Sequence, residues 1–335
     1  MFSVKEVTYH DWQNHIQNCQ KTNMLQFWQY GDAKTETSRW EAIRFLIIDE
    51  DKKSIGLAQV LSLKVPLIGG VARMNRGPIL LDSSGNNKSL NVLIKVFSAL
   101  IEEFKKRHWW LVQIAPEIND LELANNLLKQ FGLRKLAVTP YASGLLSLQP
   151  NEEQLIMGLK KKWRYSLRKA QGANVNISMQ DGNSKNLKVL LSRYSDLKKK
   201  NEFNGIADSL ILSLAKKKAR EWQFNFFIAN NDNSSNIESC CGILVSVRHG
   251  DTTTYFLGVT TAKGRELQVN YLLLWEAILH AKKNDCSWFD IGGLDLSTPK
   301  GIMHFKKGLQ SEPYSLIGEW RGFLLPWKFI KKNDI

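Results

Sequence analysis

Two stretches of this sequence are helical by their spacing, and each feeds a short buried strand that a turn residue cuts off. In the first half, Lys88–Arg107 carries Leu90, Val92, Leu93, Val96, Phe97, Leu100, Ile101 and Phe104, the repeat of a helix face. Trp109–Ile114 follows as a buried strand, ended by Pro116. In the second half, the strongly apolar Asn270–Lys283 predicts a helix and Ser287–Ile291 a strand before Gly292-Gly293. Around these units lie strand-like runs at Glu41–Ile48, Ser54–Val65 and Val71–Arg76, then at Phe224–Ala229, Cys241–Val247 and Thr252–Val259. Further helices are expected at Asp11–Cys19, Leu121–Gln130 with Gly132 as C-cap, Glu152–Gly172, Asn186–Lys200 and Asp208–Trp222. Strands with helices inserted, twice over, argue for two mixed α/β lobes of comparable size. A length of 335 residues suits about two domains.

Charge narrows the partners. Lys and Arg number 46 against 32 Asp and Glu, a net charge of +14. Such a chain attracts polyanions: nucleic acid, an anionic membrane surface or a phosphorylated substrate. A lysine-rich solubilising surface gives the same number. Hydrophobic residues at 43% and charged residues at 23% exclude a disordered chain. The four cysteines (Cys19, Cys240, Cys241, Cys286) lack paired metal-ligand spacing, and their scarcity suits a reducing compartment. The start, Met1-Phe2-Ser3-Val4-Lys5-Glu6, lacks the apolar region of a signal peptide, and no run approaches the roughly 20 apolar residues of a spanning helix. The expected location is the cytoplasm. Dinucleotide fingerprint, P-loop, zinc-ligand helix and nucleophile elbow are all missing, and the six histidines are scattered, so neither a metal nor a cofactor is expected.

Three clusters carry chemistry. Lys160–Ala170 (KKKWRYSLRKA) holds six cations and no acid, with Lys161, Arg164 and Arg168 on one helical face and Lys169 beside them. Such an array binds phosphates, although a solvated helix face has the same composition. The second cluster joins Trp288-Phe289-Asp290-Ile291-Gly292-Gly293 to Gly301-Ile302-Met303-His304-Phe305-Lys306. A strand ending in Asp-x-Gly-Gly lets backbone amides approach a ligand, and a lysine about a dozen residues on can reach the same cleft. The third is Arg76-Gly77-Pro78, with Trp28 and Lys34 upstream, locally a strand-ending turn.

Taken in order, the segments Leu25–Lys34 (LQFWQYGDAK), Arg76–Pro78, Lys160–Ala170, Trp275–Ile278, Phe289–Gly293 and Gly301–Lys306 resemble the Fem family of peptidoglycan interpeptide-bridge aminoacyltransferases. The similarity spans almost the whole chain. It implies two tandem GNAT-like acyltransferase lobes, each a mixed sheet flanked by helices, at residues 1–147 plus 318–335 and at 148–317. It implies transfer of an amino acid from aminoacyl-tRNA to an amine of a peptidoglycan precursor, nucleotide-linked or lipid-linked. No long heptad stretch occurs, so the chain resembles the armless members. Lys306 matches the family lysine held near the aminoacyl ester and Phe305 its aromatic neighbour. Lys34 matches a lysine placed to bind the precursor's phosphates. The resemblance makes Lys34, Trp28, Arg76, Asp290, Gly292 and Gly293 the expected substrate-binding residues, and Lys161, Arg164, Arg168 and Lys169 the tRNA-binding ones. The basic helix sits where the family has its own basic motif, which either contacts RNA or packs the lobes. A monomer is expected.

One position departs from the pattern. Where the family tends to have an aspartate before proline, this chain has Ala115, followed by Pro116 and Glu117. Either no protein carboxylate is required, or Glu117 substitutes, or this chain has drifted from the family chemistry. The tail from Gly322 to Lys332 either touches an anionic membrane surface peripherally or packs back on the first lobe, as the family implies. Two other readings remain open. An acyl-CoA-dependent N-acyltransferase would need a pyrophosphate loop, for which Lys263-Gly264-Arg265 is a degenerate candidate. A non-catalytic nucleic-acid-binding protein would use the charge alone.

Overall fold

The computed structural model describes residues 2–66, 69–81, 90–180, 182, 184–231 and 236–324. Its contacts divide the chain into two units, residues 1–141 with 315–335 and residues 142–314. In chain order the first unit contains β1 (Ser3–Glu6), α1 (Tyr9–Ile16), α2 (Trp28–Thr37), β2 (Glu41–Ile48), β3 (Ser54–Val65), β4 (Gly69–Asn75), β5 (Ile79–Leu80), α3 (Leu90–Lys106), β6 (Trp109–Ala115), α4 (Leu121–Leu128) and β7 (Arg134–Lys135). The second contains β8 (Ala142–Ser147), α5 (Glu152–Gly158), α6 (Lys161–Gln171), β9 (Asn176–Gln180), α7 (Ser184–Lys200), α8 (Asp208–Lys216), β10 (Trp222–Asn230), β11 (Gly242–His249), β12 (Thr252–Thr260), α9 (Ala262–Glu266), α10 (Val269–Lys283), β13 (Trp288–Asp290), α11 (Lys300–Lys307) and β14 (Glu312–Ser315). The chain then returns to the first unit as β15 (Trp320–Phe323).

Each unit is built on one sheet. The first runs β1-β2-β3-β4-β6-β15-β7, with β5 beside β3, and the second β14-β8-β13-β12-β11-β10-β9. The two share a plan. Antiparallel strands lead to a parallel pair, β4 with β6 and β12 with β13, joined by the crossover helices α3 and α10. An antiparallel strand then flanks the parallel pair: β15 beside β6, and β8 beside β13. This is the mixed α/β fold expected from the repeated helix–strand unit. The resemblance placed the boundary at 147/148, but Ala142–Ser147 belongs to the second unit because it pairs with β13, Ser147 opposite Trp288. The return to the first unit falls at 315 rather than 318.

Packing follows the periodicities. In the first unit, α3 lays Leu93, Val96, Phe97, Leu100, Ile101 and Phe104 on Phe45, Ile47, Ala58, Val60, Val112 and Ile114 of the sheet. In the second, β10 splits its side chains between two cores. Phe227 and Ala229 join α6 and α10, whereas Phe226 and Ile228 join α7 and α8.

Two expected helices are shorter than their spacing suggested. Glu152–Gly172 breaks at Leu159 and Lys160, both extended (ψ 149° and 144°), and the Lys160 amide donates to Gly308 O at 3.0 Å instead of continuing α5. Asp208–Trp222 stops at Lys216, and Trp222 opens β10. Gly132 does end its helix left-handed, at φ 72°. Helix α1 starts at Tyr9 because Thr8 and Asp11 form a reciprocal capping box. The tail beyond Leu324, part of the expected membrane-contact segment, lies outside the described residues.

Candidate active site

The ladder between β12 and β13 pairs Thr252 with Trp288, Thr253 with Phe289 and Thr254 with Asp290. It ends there, at the carboxyl end of β13, while β12 runs on to Thr260. Asp290 is buried and committed. It accepts from Tyr314 Oη at 2.7 Å, from the Gly292 amide at 2.8 Å and from Ser143 Oγ. These bonds set the turn that follows. Gly292 adopts φ 69°, and a Cβ there would lie 2.8 Å from Tyr255 O and 3.3 Å from Lys306 Nζ. Glycine is required at that position by conformation and by space.

Lys306 reaches this turn from α11. It is 6% exposed, donates to Gly293 O at 3.3 Å and lies 4.8 Å from the centroid of the Tyr255 ring. Burial pushes its ammonium down to about 8, while the carboxylates of Asp290 and Asp295 pull it back up. Burial likewise pushes the Tyr255 phenol up to about 12, so it stays a neutral donor. The expected residues Lys306, Phe305, Asp290, Gly292 and Gly293 therefore meet in one place. Asp290 and Gly292 shape the seat, and Lys306 fills it.

The basic helix is tied to the same place. Trp163 of α6 is buried, stacks on Phe305 (centroids 6.1 Å, planes 20° apart) and donates from Nε1 to Phe305 O at 3.1 Å. Leu167 and Ala170 share its buried face. Lys161, Arg168 and Lys169 are exposed on the other side, while half-buried Arg164 donates to Met157 O at 2.6 Å. Phe305 thus joins the Lys306 helix to the basic helix.

In the first unit, the ladder between β4 and β6 ends at the last residue of both strands, with Asn75 opposite Ala115. Here an ion pair fills the position. Arg76 binds Glu117 in bidentate fashion, at 2.9 and 2.5 Å, over the Tyr141 ring, and Asn23 Nδ2 donates to both Glu117 Oε2 and Arg76 O. Glu117, the candidate to replace the missing aspartate, is held by these contacts.

The segment Leu25–Lys34 is bound to the sheet by a buried amide network. Gln26 Nε2 donates to Gln59 O and Asn75 O, while its Oε1 accepts the Gln59 amide. Gln59 Nε2 donates to Leu25 O and Phe27 O, and its Oε1 accepts from Arg44 Nε. Arg44 then reaches Asp32 and Trp28 O and lies 4.0 Å over the Trp28 ring. Trp28 is occupied in this packing, with Tyr9 and Trp12 edge-on to it. The network fixes α2, which presents Lys34. No described carboxylate pairs with the Lys34 ammonium, and both burial and the nearby Arg73 push it below its ordinary value. Arg73 itself pairs with Glu319 at 2.8 Å.

Sequence reasoning missed Tyr255, Ser143, Tyr314 and Arg73, because nothing local distinguishes a strand tyrosine or arginine until topology brings it to a site. Among the described residues no three His, Cys, Asp or Glu side chains gather as a metal site, and no helix is long and apolar enough to cross a membrane. The Lys263-Gly264-Arg265 segment lies in a helix of five residues, and Thr261 Oγ1 already accepts the Gly264 amide.

Comparison with known proteins places this geometry. No curated protein matches the chain in sequence. Its fold matches the crystal structure of FemX with a TM-score of 0.76 at 16% identity, over 96% of this chain and 97% of that one. A tandem GNAT protein from the clavulanic acid biosynthesis pathway matches with a TM-score of 0.56 at 10% identity, over 97% and 99%. L-PGS from Bacillus licheniformis matches with 0.53 at 10% identity, over 95% and 92%. Residues 183–332 match the model of the FemAB family.

Proposed function

We propose that this chain is an acyltransferase that moves an amino acid from the ester of an aminoacyl-tRNA to an amine of a peptidoglycan precursor stem peptide. The observation that carries the reading is a buried lysine, lowered to about 8, seated on a glycine turn beside a basic helix. In the reaction the acceptor nitrogen attacks the ester carbonyl. A carbon–nitrogen bond forms, the carbon–oxygen bond to the ribose breaks, and the proton lost by the amine ends on the ribose hydroxyl. The Lys306 ammonium stabilises the oxyanion of the tetrahedral intermediate. A group of its acidity can also give its proton to the departing oxygen and take one from the amine. Asp290 is fully engaged by Ser143, Tyr314 and Gly292, which suits a positioning role better than that of a base.

Lys34, desolvated and unpaired with any described carboxylate, suits a phosphate of the precursor, whether nucleotide-linked or lipid-linked. Lys161, Arg164, Arg168 and Lys169 suit the phosphates of the donor RNA. The test is Lys306→Met, which keeps the length of the side chain and removes its charge. Transfer from aminoacyl-tRNA should fall by at least about 10²-fold, with circular dichroism and thermal unfolding like the wild type. Wild-type rates in a folded variant would remove Lys306 from the mechanism.

A further inference from the structure

The exposed face of α6 carries more than charge. Tyr165 is 71% exposed, with its neighbours on that face Lys161 at i−4, Lys162 at i−3, Arg168 at i+3 and Lys169 at i+4. No carboxylate lies on the helix. The ring stands opposite the buried Trp163, Leu167 and Ala170, so nothing in the second unit's core calls for an aromatic there. At 1.5 Å per residue, Lys161 and Arg168 are about 10 Å apart along the axis, with the ring between them. Met157, 68% exposed, adds apolar surface where Arg164 bonds to its carbonyl. A free aromatic face flanked by cations is what single-stranded nucleic acid requires, because bases stack on the ring while the cations follow the phosphates.

We propose that Tyr165 is a stacking platform for an unpaired base in the single-stranded 3′ end of the donor RNA. The inference deepens the reading of the donor as an RNA and rests on it. Trp163, two residues away on the same helix, is stacked on Phe305, so the platform and Lys306 stand on elements packed directly together. A base held by Tyr165 gives the acceptor end a fixed register relative to the Lys306 helix. Duplex RNA offers no unstacked base and gains nothing from the ring.

The experiment compares binding of two RNA hairpins, one with a short single-stranded 3′ overhang and one blunt, to wild type, Tyr165→Ala, Tyr165→Trp and Arg168→Ala. Wild type should prefer the overhang. Tyr165→Ala should weaken overhang binding by roughly 5- to 150-fold, leave blunt binding and the salt dependence unchanged, and be rescued in Tyr165→Trp. Arg168→Ala should weaken both hairpins and reduce the salt slope by about 1. Tyr165→Ala with wild-type preference for the overhang, or with an equal loss on both hairpins, would overturn the platform and leave the RNA donor standing. Wild type that binds neither hairpin would overturn both. Tyr165-dependent binding to anionic phospholipid vesicles without Tyr165-dependent RNA binding would assign the face to a membrane and overturn the proposal.

Discussion

Burial decides what Lys306 can do. An ammonium lowered to about 8 remains charged at neutral pH and is lost as pH rises through that value. If the charged form serves the transition state, kcat falls about tenfold per pH unit above roughly 8. Asp290 favours the charged form, so Asp290→Asn should move that break to lower pH. A pH–rate profile at saturating substrates checks both statements, and a break that stays in place or moves up would contradict them. Lys34 poses a different question, since its contact lies on a phosphate away from the reacting carbonyl. Lys34→Ala should raise KM for the precursor more than it lowers kcat; steady-state kinetics showing a pure kcat defect would exclude the phosphate role. Lys306 and Lys34 were named from the sequence because the resemblance carried them residue by residue, and their roles are proposals. The commitments of Arg76 and Glu117 were not, since an ion pair across 41 residues exists only once β4 and β6 lie side by side.

At the scale of elements, the site depends on two small pieces of architecture. One is the contact of α6 with α11. Trp163→Ala removes a buried ring that touches Phe305, Tyr271 and Trp275, and should cost about 3–5 kcal/mol by denaturant unfolding. The other is the amide network under α2. Gln26→Ala orphans the Gln59 amide and the Asn75 and Gln59 carbonyls, each worth about 1–3 kcal/mol when buried. Unfolding within about 0.5 kcal/mol of wild type would show that water replaces those bonds. Segments with a strong period read directly: Glu41–Ile48 and Ser54–Val65 are strands with the expected bounds. The break at Leu159 and Lys160 did not read, because its cause is a hydrogen bond to Gly308, far along the chain. Local propensity favoured one continuous basic helix, and a tertiary contact divided it.

Over the whole molecule, the doubled helix–strand unit was visible in sequence as periodicity, and it became two sheets of the same plan. The assignment of β8 to the second unit was hidden, since strand pairing across the boundary leaves no local mark. The excess of cations, +14, also acts at this scale. If RNA is the donor, log of the apparent affinity should fall linearly with log salt, with a slope of about −0.9 per phosphate neutralised on a duplex. Titrations that barely change between low and moderate salt would argue against it. The most direct test is a transfer assay with tRNA charged with each labelled amino acid in turn and with nucleotide-linked and lipid-linked pentapeptide precursors. The account predicts label on a precursor, abolished by ribonuclease pretreatment and by Lys306→Met. Folded protein that transfers nothing from any charged tRNA, or that transfers from acyl-CoA instead, would contradict it.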